Sequence, residues 1–196
     1  MKSLNIAFAM SALILVSVPA AAQLSGTDTQ AFVDAVQKRD GAKATELLAS
    51  HPTIVDTKDA NGDTGLIIAL RASDQDWAGF LLDKGADPNT PGANGDTPLI
   101  TAAKASFDQG AGWLIGLGAK VDATNRSGET PLIIAVQQRD ERLVKILLSR
   151  GADPDRADSV AGYSARDYAK RDAHARNILK LIDSAKAPKG APSATN

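Results

Sequence analysis

The fold of this chain follows from one hexapeptide, Asn94-Gly95-Asp96-Thr97-Pro98-Leu99, which occurs in three closely similar copies. The other copies occupy residues 61–66 and 127–132, so their glycines are 33 residues apart. A second motif, glycine followed by alanine, begins at residues 85, 118 and 151 with the same period. Two independent motifs that share one period of this length indicate a repeat architecture.

Each repeat is expected to form two short helices followed by an extended loop. Threonine at positions 64, 97 and 130 is a favourable N-cap residue, and Pro98 and Pro131 follow at the first helical position, where a missing N–H costs nothing. Apolar residues then recur with helical spacing, from Leu132 to Val136 and from Leu143 to Leu148. The glycines at 85, 118 and 151 are placed to end each second helix in the left-handed conformation.

This pattern resembles the ankyrin repeat, a 33-residue unit with a Thr-Pro-Leu signature. The resemblance covers most of residues 27–183 and implies an all-α solenoid of about five helix-turn-helix units joined by extended loops. The ankyrin-repeat domain, residues 23–183, divides into an N-terminal cap pair (23–60), three full repeats (61–93, 94–126 and 127–159) and a C-terminal cap (160–183). The tail, residues 184–196, is rich in Ala, Pro, Lys and Ser and is predicted to be disordered.

The chain departs from the family's pattern in two places. The family usually has histidine after Thr-Pro-Leu, whereas this chain has isoleucine at positions 67, 100 and 133, so we expect apolar contacts between repeats. The third unit has glycine at positions 110, 112 and 116 of its second helix, which either lets Trp113 pack against a neighbouring repeat or makes the helix soft. Phe107, beside it, is either an exposed aromatic hot spot or a cover for this helix.

The composition argues against several classes of function. The 196-residue chain has a formal net charge of −1 and a pI of about 6.1, whereas nucleic-acid-binding domains usually have a pI above about 9, so we expect no nucleic-acid partner. It contains no cysteine, which excludes disulfides, thiolate nucleophiles and zinc-cysteine sites. His51 and His174 are expected to be solvated loop or cap residues, and Asp59, Asn61 and Asp63 lack the closing glutamate of a calcium loop. We predict no catalytic residue, cofactor or metal.

The first 22 residues are typical of a signal peptide. Lys2 precedes an almost entirely apolar segment, residues 4–18, and the small residues Ala20, Ala21 and Ala22 follow. The apolar segment is shorter than the roughly 20 residues of a membrane-spanning helix. We expect cleavage after Ala22 and a periplasmic or secreted protein with no stable membrane anchor after signal cleavage; an uncleaved N-terminal anchor is the alternative.

The resemblance also implies a site, because ankyrin proteins usually bind a partner protein on the concave face of the stack. Carried onto this chain, the family's contact positions are Asn61, Asp63, Asn94, Asp96, Arg126 and Glu129 at the loop tips, and Arg71, Lys104, Gln137, Gln138, Tyr163 and Lys170 on the first helices and C-terminal cap. We therefore expect a monomeric, non-enzymatic protein–protein interaction scaffold that holds or protects an unidentified partner protein. The alternatives are an inhibitor of a periplasmic or secreted enzyme or toxin and, less favoured, an enzyme.

Charge is unevenly distributed along the chain. Residues 23–122 contain 8 Lys/Arg and 14 Asp/Glu, whereas residues 123–196 contain 13 and 9. In an elongated stack this difference predicts an electrical dipole, which orients an approaching partner. Head-to-tail self-association is an alternative consequence of the same dipole.

Overall fold

The structure of the protein is a computed structural model that describes residues 26–185. Within this range the chain forms ten α-helices. They are α1 (Gly26–Lys38), α2 (Gly41–Ser50), α3 (Gly65–Arg71), α4 (Gln75–Asp83), α5 (Pro98–Lys104), α6 (Asp108–Gly116), α7 (Pro131–Gln137), α8 (Glu141–Ser149), α9 (Ala165–Arg171) and α10 (Arg176–Ser184). The predicted signal peptide and residues 186–196 of the predicted tail lie outside the described residues.

The helices form five consecutive pairs that stack into a solenoid. The first helices, α1, α3, α5, α7 and α9, make one layer in which each contacts the next. The second helices make a parallel layer whose members touch one another less closely along most of the stack. A layer that packs more closely lies on the inside of the curve, so the first helices line the concave face. The predicted all-α solenoid is confirmed.

Each repeat begins as the sequence predicts. The hydroxyl oxygens of Thr64, Thr97 and Thr130 accept hydrogen bonds from backbone N–H groups three residues later, at 3.3, 3.2 and 3.2 Å. Pro98 and Pro131 are the first residues of α5 and α7. Ser164 replaces threonine at the start of α9, where it forms a reciprocal capping box with Asp167. The N-terminus of each first helix from α3 onwards is therefore fixed by a local side-chain hydrogen bond.

The ends of the second helices and the contacts between repeats also agree with the sequence. The glycines at 85, 118 and 151 have φ values of +87°, +90° and +84°, which only glycine adopts without strain. The isoleucines at 67, 100 and 133 are fully buried. The stack is therefore held together by aliphatic contacts at the positions where the family usually has histidine.

Phe107 is a buried residue that covers α6. Its ring lies edge-on to the ring of Trp113, with 6.1 Å between ring centroids. A Cβ atom on Gly110 would lie 2.5 Å from Cδ1 of this ring, so glycine at 110 makes room for Phe107. The exposed hot-spot interpretation of Phe107 is therefore wrong, and the covering interpretation is confirmed.

The other two glycines of α6, unlike Gly110, do not make room for a neighbouring side chain. A Cβ atom on Gly112 or Gly116 would meet nothing within 4 Å. An interior glycine costs a helix about 1 kcal/mol relative to alanine, and packing within the chain does not account for that cost at Gly112. Trp113 lies beside the neighbouring repeat, as predicted, but the approach is not close. A Cβ atom placed on Gly79 would be 3.9 Å from the Trp113 ring, which is an ordinary contact distance.

Asp108, the first residue of α6, has an unfavourable environment. Its side chain is 19% exposed, and its Oδ2 atom lies 3.4 Å from Nε of Arg142. The Oδ1 atom has no hydrogen-bond partner among the described residues. Burial, followed by repulsion from the neighbouring Asp140, raises the pKa of Asp108. A carboxyl group whose pKa is raised by folding stabilises the folded state most at a pH below its ordinary pKa. That contribution to stability is lost as the pH rises through the folded-state pKa.

We predict that Asp108→Asn stabilises the protein at neutral pH, because the amide has a similar shape and no charge. The expected gain is about 0.2–0.5 kcal/mol, the size of one relieved like-charge contact. Thermal unfolding from pH 3 to pH 8 checks this, with Asp83→Asn, at an exposed position, as the control. The gain should disappear near and below the ordinary carboxyl pKa of about 3.9; a gain that persists there would refute this account.

Candidate protein-binding face

The predicted loop-tip and helix residues meet on the concave side of the stack as a series of paired side chains. Each pair consists of the residue before the N-cap and the last residue of the first helix, eight positions later, and in three of the four repeats the two side chains are in contact. We call each pair a rung and the series the ladder. The rungs are Asp63/Arg71, Asp96/Lys104, Glu129/Gln137 and Tyr163/Arg171.

The first rung is an ion pair with one buried partner. Nη2 of Arg71 lies 2.7 Å from Oδ2 of Asp63, and the Arg71 side chain is 57% exposed whereas Asp63 is buried. The other carboxylate oxygen, Oδ1 of Asp63, accepts a hydrogen bond from the backbone N–H of Ala93, in the loop that leads into the next repeat, at 2.8 Å. A Cβ atom at position 92 would lie 2.4 Å from that oxygen, which is why this position is glycine. Asp63 therefore positions Arg71 and joins two repeats, while the guanidinium group faces solvent.

The second rung repeats this arrangement with lysine. Nζ of Lys104 lies 2.8 Å from each carboxylate oxygen of Asp96, and the lysine side chain is 40% exposed. Nδ2 of Asn125, in the loop that leads into the following repeat, donates to Oδ1 of Asp96 at 3.0 Å. The carboxylate is thus fixed by its own repeat and by the next, and it holds the ammonium group at a defined place on the face.

The helix residue of the third rung, Gln137, carries no charge. Oε2 of Glu129 accepts a hydrogen bond from Nδ2 of Asn125 at 2.9 Å, and Gln137 is exposed. The neighbouring Gln138 joins repeats: its Nε2 donates to the carbonyl oxygen of Lys104 at 3.0 Å, and its Oε1 accepts from Oγ of Ser106 at 2.9 Å. Gln138 therefore stabilises the stack, and the exposed side chain of Gln137 lies next to the Tyr168 hydroxyl of the following unit.

The fourth rung is aromatic. The guanidinium carbon of Arg171 lies 4.4 Å from the centroid of the Tyr163 ring, within the range of a cation–π contact. Tyr168 lies edge-on to Tyr163 at 5.6 Å, and its hydroxyl donates to Oδ2 of Asp158 at 2.6 Å. An exposed arginine is again held over a fixed partner, here a tyrosine ring.

The sequence placed Lys170 on this face, but the structure gives the equivalent position to Arg171. Ser164 follows Thr130 by 34 residues rather than 33, so the last rung is displaced by one residue from the periodic position. Lys170 is exposed beside this rung without belonging to it. The insertion was visible in the sequence, so the correct register was available from it.

Asx-type hydrogen bonds hold the loop tips in shape. Oδ1 of Asn125 accepts from the backbone N–H groups of Ser127 and Glu129, and Oδ1 of Asp158 accepts from three consecutive N–H groups, those of residues 160–162. Burial acts to raise the pKa of Asp158, but the hydrogen bonds from Tyr168 and the loop backbone outweigh it and hold this pKa below the ordinary value. The tips are therefore preorganised, and their exposed side chains project from a fixed backbone.

Three predicted tip residues are exposed on this fixed backbone. Asn61 bonds to Asp59 within its own loop, through its backbone N–H at 2.9 Å and its side-chain Nδ2 at 3.2 Å. Asn94 has a φ of +58°, and its carbonyl oxygen accepts from the backbone N–H of Arg126 at 3.1 Å. Within residues 26–185 the side chain of Arg126 takes part in no ion pair, so its charge is available to a partner.

Val160 is a candidate contact residue that sequence reasoning missed. Its side chain is 79% exposed at the tip of the last loop, three residues before Tyr163. The signal was present, because the corresponding positions 33, 66 and 99 residues earlier hold Ser127, Asn94 and Asn61. An apolar residue in place of these polar ones breaks the pattern of the loop tips.

The other end of each loop is joined to the next repeat through half-buried side chains, two carboxylates and an amide. Asp56, Asn89 and Asp122 each accept a hydrogen bond from the backbone N–H of the residue 31 positions later, at 3.0, 2.8 and 3.0 Å. Burial raises the pKa of Asp56 and of Asp122. These bonds fix the angle between repeats and hence the spacing of the rungs.

The described part of the chain shows no arrangement suited to catalysis by histidine or metal. His51 is the C-cap residue of α2, as one of the two expectations had it, but it is partly buried rather than solvated, with Nε2 3.7 Å from Oδ2 of Asp28. His174 is exposed near Asp172. Among residues 26–185 no cluster of three or more potential ligands could hold a metal ion. No helix in the same range is long and apolar enough to cross a membrane.

Stacked helix pairs of 33 residues, joined by hairpin-like loops, define the class of helical repeat solenoids. Within that class, the family described as Ankyrin repeats (3 copies) matches residues 32–125 and 81–158, so the chain belongs to the ankyrin-repeat family. No curated protein matches the chain. Ankyrin repeats are protein–protein interaction modules and are typically non-enzymatic, so the ladder lies in a protein that is built to bind a protein partner.

Proposed function

We propose that this protein is a non-enzymatic scaffold that works in the periplasm or as a secreted protein, and that it holds or protects a partner protein bound to the ladder. The observation that carries the proposal is the way the rungs are built. Asp63 and Asp96 are fixed by two repeats each, and they hold Arg71 and Lys104 at set positions on an exposed face. Side chains that are ordered before binding lose less conformational entropy when a partner arrives.

The C-terminal end of the ladder offers the strongest contacts. Val160 supplies exposed apolar surface, Tyr163 and Arg171 supply a stacked aromatic–guanidinium pair, and Arg126 supplies a cation on the preceding loop. Tyrosine and arginine are enriched among the residues that dominate binding energy. We therefore place the centre of the partner contact between the third and fourth rungs.

The proposed location rests on the N-terminal sequence. Lys2, the apolar segment and the alanines before Gln23 have the order of an export signal. Cell fractionation followed by N-terminal sequencing tests this: export predicts a chain that begins at Gln23 and is recovered outside the cytoplasm. A cytoplasmic chain that begins at Met1 would refute the location and leave the binding face unaffected.

A capture experiment from the same fraction tests the binding face. The first bait is the processed wild-type protein, and the second carries Arg126→Glu and Val160→Asp. Both of these side chains project from the tips without side-chain partners in the described chain, so the fold should persist, as circular dichroism can verify. We expect the second bait to lose the captured protein, with affinity reduced at least about a hundredfold, because it removes one apolar and one charged contact.

The matched control carries Lys180→Glu and Asn177→Asp, which make the same change in net charge on exposed positions of α10. Retention of the partner by this control, together with its loss by the second bait, supports the ladder as the binding face. Capture by all three baits would place the contact elsewhere, and capture by none would contradict a stable partner in that compartment. Assaying the captured protein with and without the scaffold then separates a protective scaffold from an inhibitor.

A further inference from the structure

The layer of second helices contains an apolar groove that the ladder does not use. The groove lies between α4 and α6, has a volume of about 450 Å³, and is lined by Gly79, Leu82, Gly112, Trp113, Gly116 and Leu117. Its floor is the partly buried Trp113, and its rim includes Leu117, which is 56% exposed. Such a volume is within the range of ligand and side-chain pockets.

The groove exists because side chains are absent from α6. Gly112 and Gly116 are one helical turn apart, and a Cβ atom on either would lie in open space. Glycine weakens the helix at Gly112, and no contact inside the chain requires it at either position. Gly110 differs, because Phe107 occupies the space next to it. The open surface over Gly112 and Gly116 is therefore available to a group from another molecule.

The charges on either side of α6 have opposite signs. On α4, the exposed stripe that contains Gly79 also carries Asp76 and Asp83. On α8, the equivalent stripe carries Arg142 and Lys145. Each of these residues is exposed, including Arg142 despite its contact with Asp108. The stripe on α6 between them, at positions 109, 112 and 116, has no charge.

We propose that a second copy of this chain covers the groove, in a two-fold dimer whose axis runs along α6. Rotation about that axis reverses the order of the repeats, so the acidic stripe on α4 of one copy faces the basic stripe on α8 of the other. Asp76 and Arg142 are 66 residues apart, which is two full repeats, so each is at the equivalent position of its own helix. They therefore come opposite each other on both sides of the axis.

The centre of such a dimer is apolar and meets itself. Leu117, which directly follows α6 and so lies near the axis, comes between the two copies, and its exposed apolar surface is removed from water together with that of the groove. A two-fold axis along the stack instead would place α4 on α4 in antiparallel orientation and bring the two acidic stripes, Asp76 and Asp83 of each copy, together, which like-charge repulsion disfavours. The pattern of charges thus selects one of the two arrangements. This inference is an alternative to the expectation of a monomer and does not depend on the ladder.

Charge reversal with rescue tests the dimer. The full chain, purified after any N-terminal processing by the host, is studied by sedimentation equilibrium over a concentration series. We expect a monomer–dimer equilibrium for the wild type, and a dimer affinity reduced at least tenfold by Asp76→Arg or by Arg142→Asp, since each change enters the interface twice. The double variant should recover most of the wild-type affinity, because it restores the two contacts with exchanged charges.

A second variant separates association from folding. Gly112→Glu should leave the melting temperature of the monomer unchanged or higher, because glutamate favours helix and its side chain projects into open space. It should abolish the dimer, because the two glutamates face each other across the axis. A wild-type chain that is monomeric at every concentration, or a dimer that persists in Asp76→Arg and Gly112→Glu, would overturn the proposal.

Discussion

Replacing Leu99 with alanine is expected to lower the free energy of unfolding by about 2–5 kcal/mol, the range found when buried leucines are truncated. Leu99 is 1% exposed and lies in α5, the middle helix of the inner layer. The inner layer packs closely, with α5 in contact with both α3 and α7, so it has little freedom to close the cavity that the substitution leaves. The measurement is urea-induced unfolding followed by circular dichroism.

Leu117→Ala is the matched control, since the same substitution is made at a position of the same unit that is exposed in the single chain, and both variants are unfolded at protein concentrations below those at which the chain would dimerise. Surface substitutions usually change stability by less than about 0.5 kcal/mol, so the two variants should differ by more than 1.5 kcal/mol. Equal losses would show that Leu99 is not a core residue. Because each repeat is supported only by its neighbours, the slope of the Leu99→Ala unfolding curve also reports whether the stack still unfolds as one unit.

The sequence predicts this fold in detail because the determinants of an ankyrin unit are local. A threonine hydroxyl caps its own helix three residues later, and a glycine such as Gly85 ends its own helix. Neither interaction depends on the neighbouring repeats. A 33-residue period then implies the stacking, because a unit that cannot bury its apolar face alone must bury it against the next one.

Side-chain partners were harder to predict, because they join residues of different repeats. Asp63 was predicted as a contact residue at a loop tip, which is the place its position in the repeat implies. Its burial depends on Gly92, 29 residues later, which leaves space for its carboxylate, and on the backbone N–H of Ala93. Position within a repeat shows the height of a residue on the stack. It does not show whether the side chain turns towards solvent or towards the next repeat.

Phe107 illustrates the same limit at short range. The sequence showed an aromatic residue where Asp74 and Asp140 cap the neighbouring second helices, and this substitution removes the cap. Whether the Phe107 ring faced solvent depended on the residue three positions later, because that residue sets the space beside the ring. Gly110 supplies that space, and only coordinates show that it belongs to Phe107 rather than to Trp113.

Gly110→Ala is therefore expected to destabilise the protein, against the usual preference of helices for alanine. The added Cβ atom would lie 2.5 Å and 2.6 Å from two ring carbons of Phe107 and 3.2 Å from Cδ2 of Leu70. The ring is buried against Trp113, so relief of the clash requires the surrounding core to move. Overpacking of this kind costs about 1–3 kcal/mol, which exceeds the roughly 1 kcal/mol that alanine contributes to the helix.

Gly112→Ala is the matched control, because it makes the same change two residues later in the same helix with no neighbour within 4 Å. It should stabilise the protein by about 0.5–1 kcal/mol, so the two variants should shift stability in opposite directions. A double-mutant cycle with Phe107→Ala identifies the cause. Phe107→Ala alone should be destabilising, but in its presence Gly110→Ala should become neutral or stabilising, because the ring that it meets is gone. If Gly110→Ala remained equally harmful without the ring, the backbone of α6, rather than Phe107, would be what requires glycine at this position.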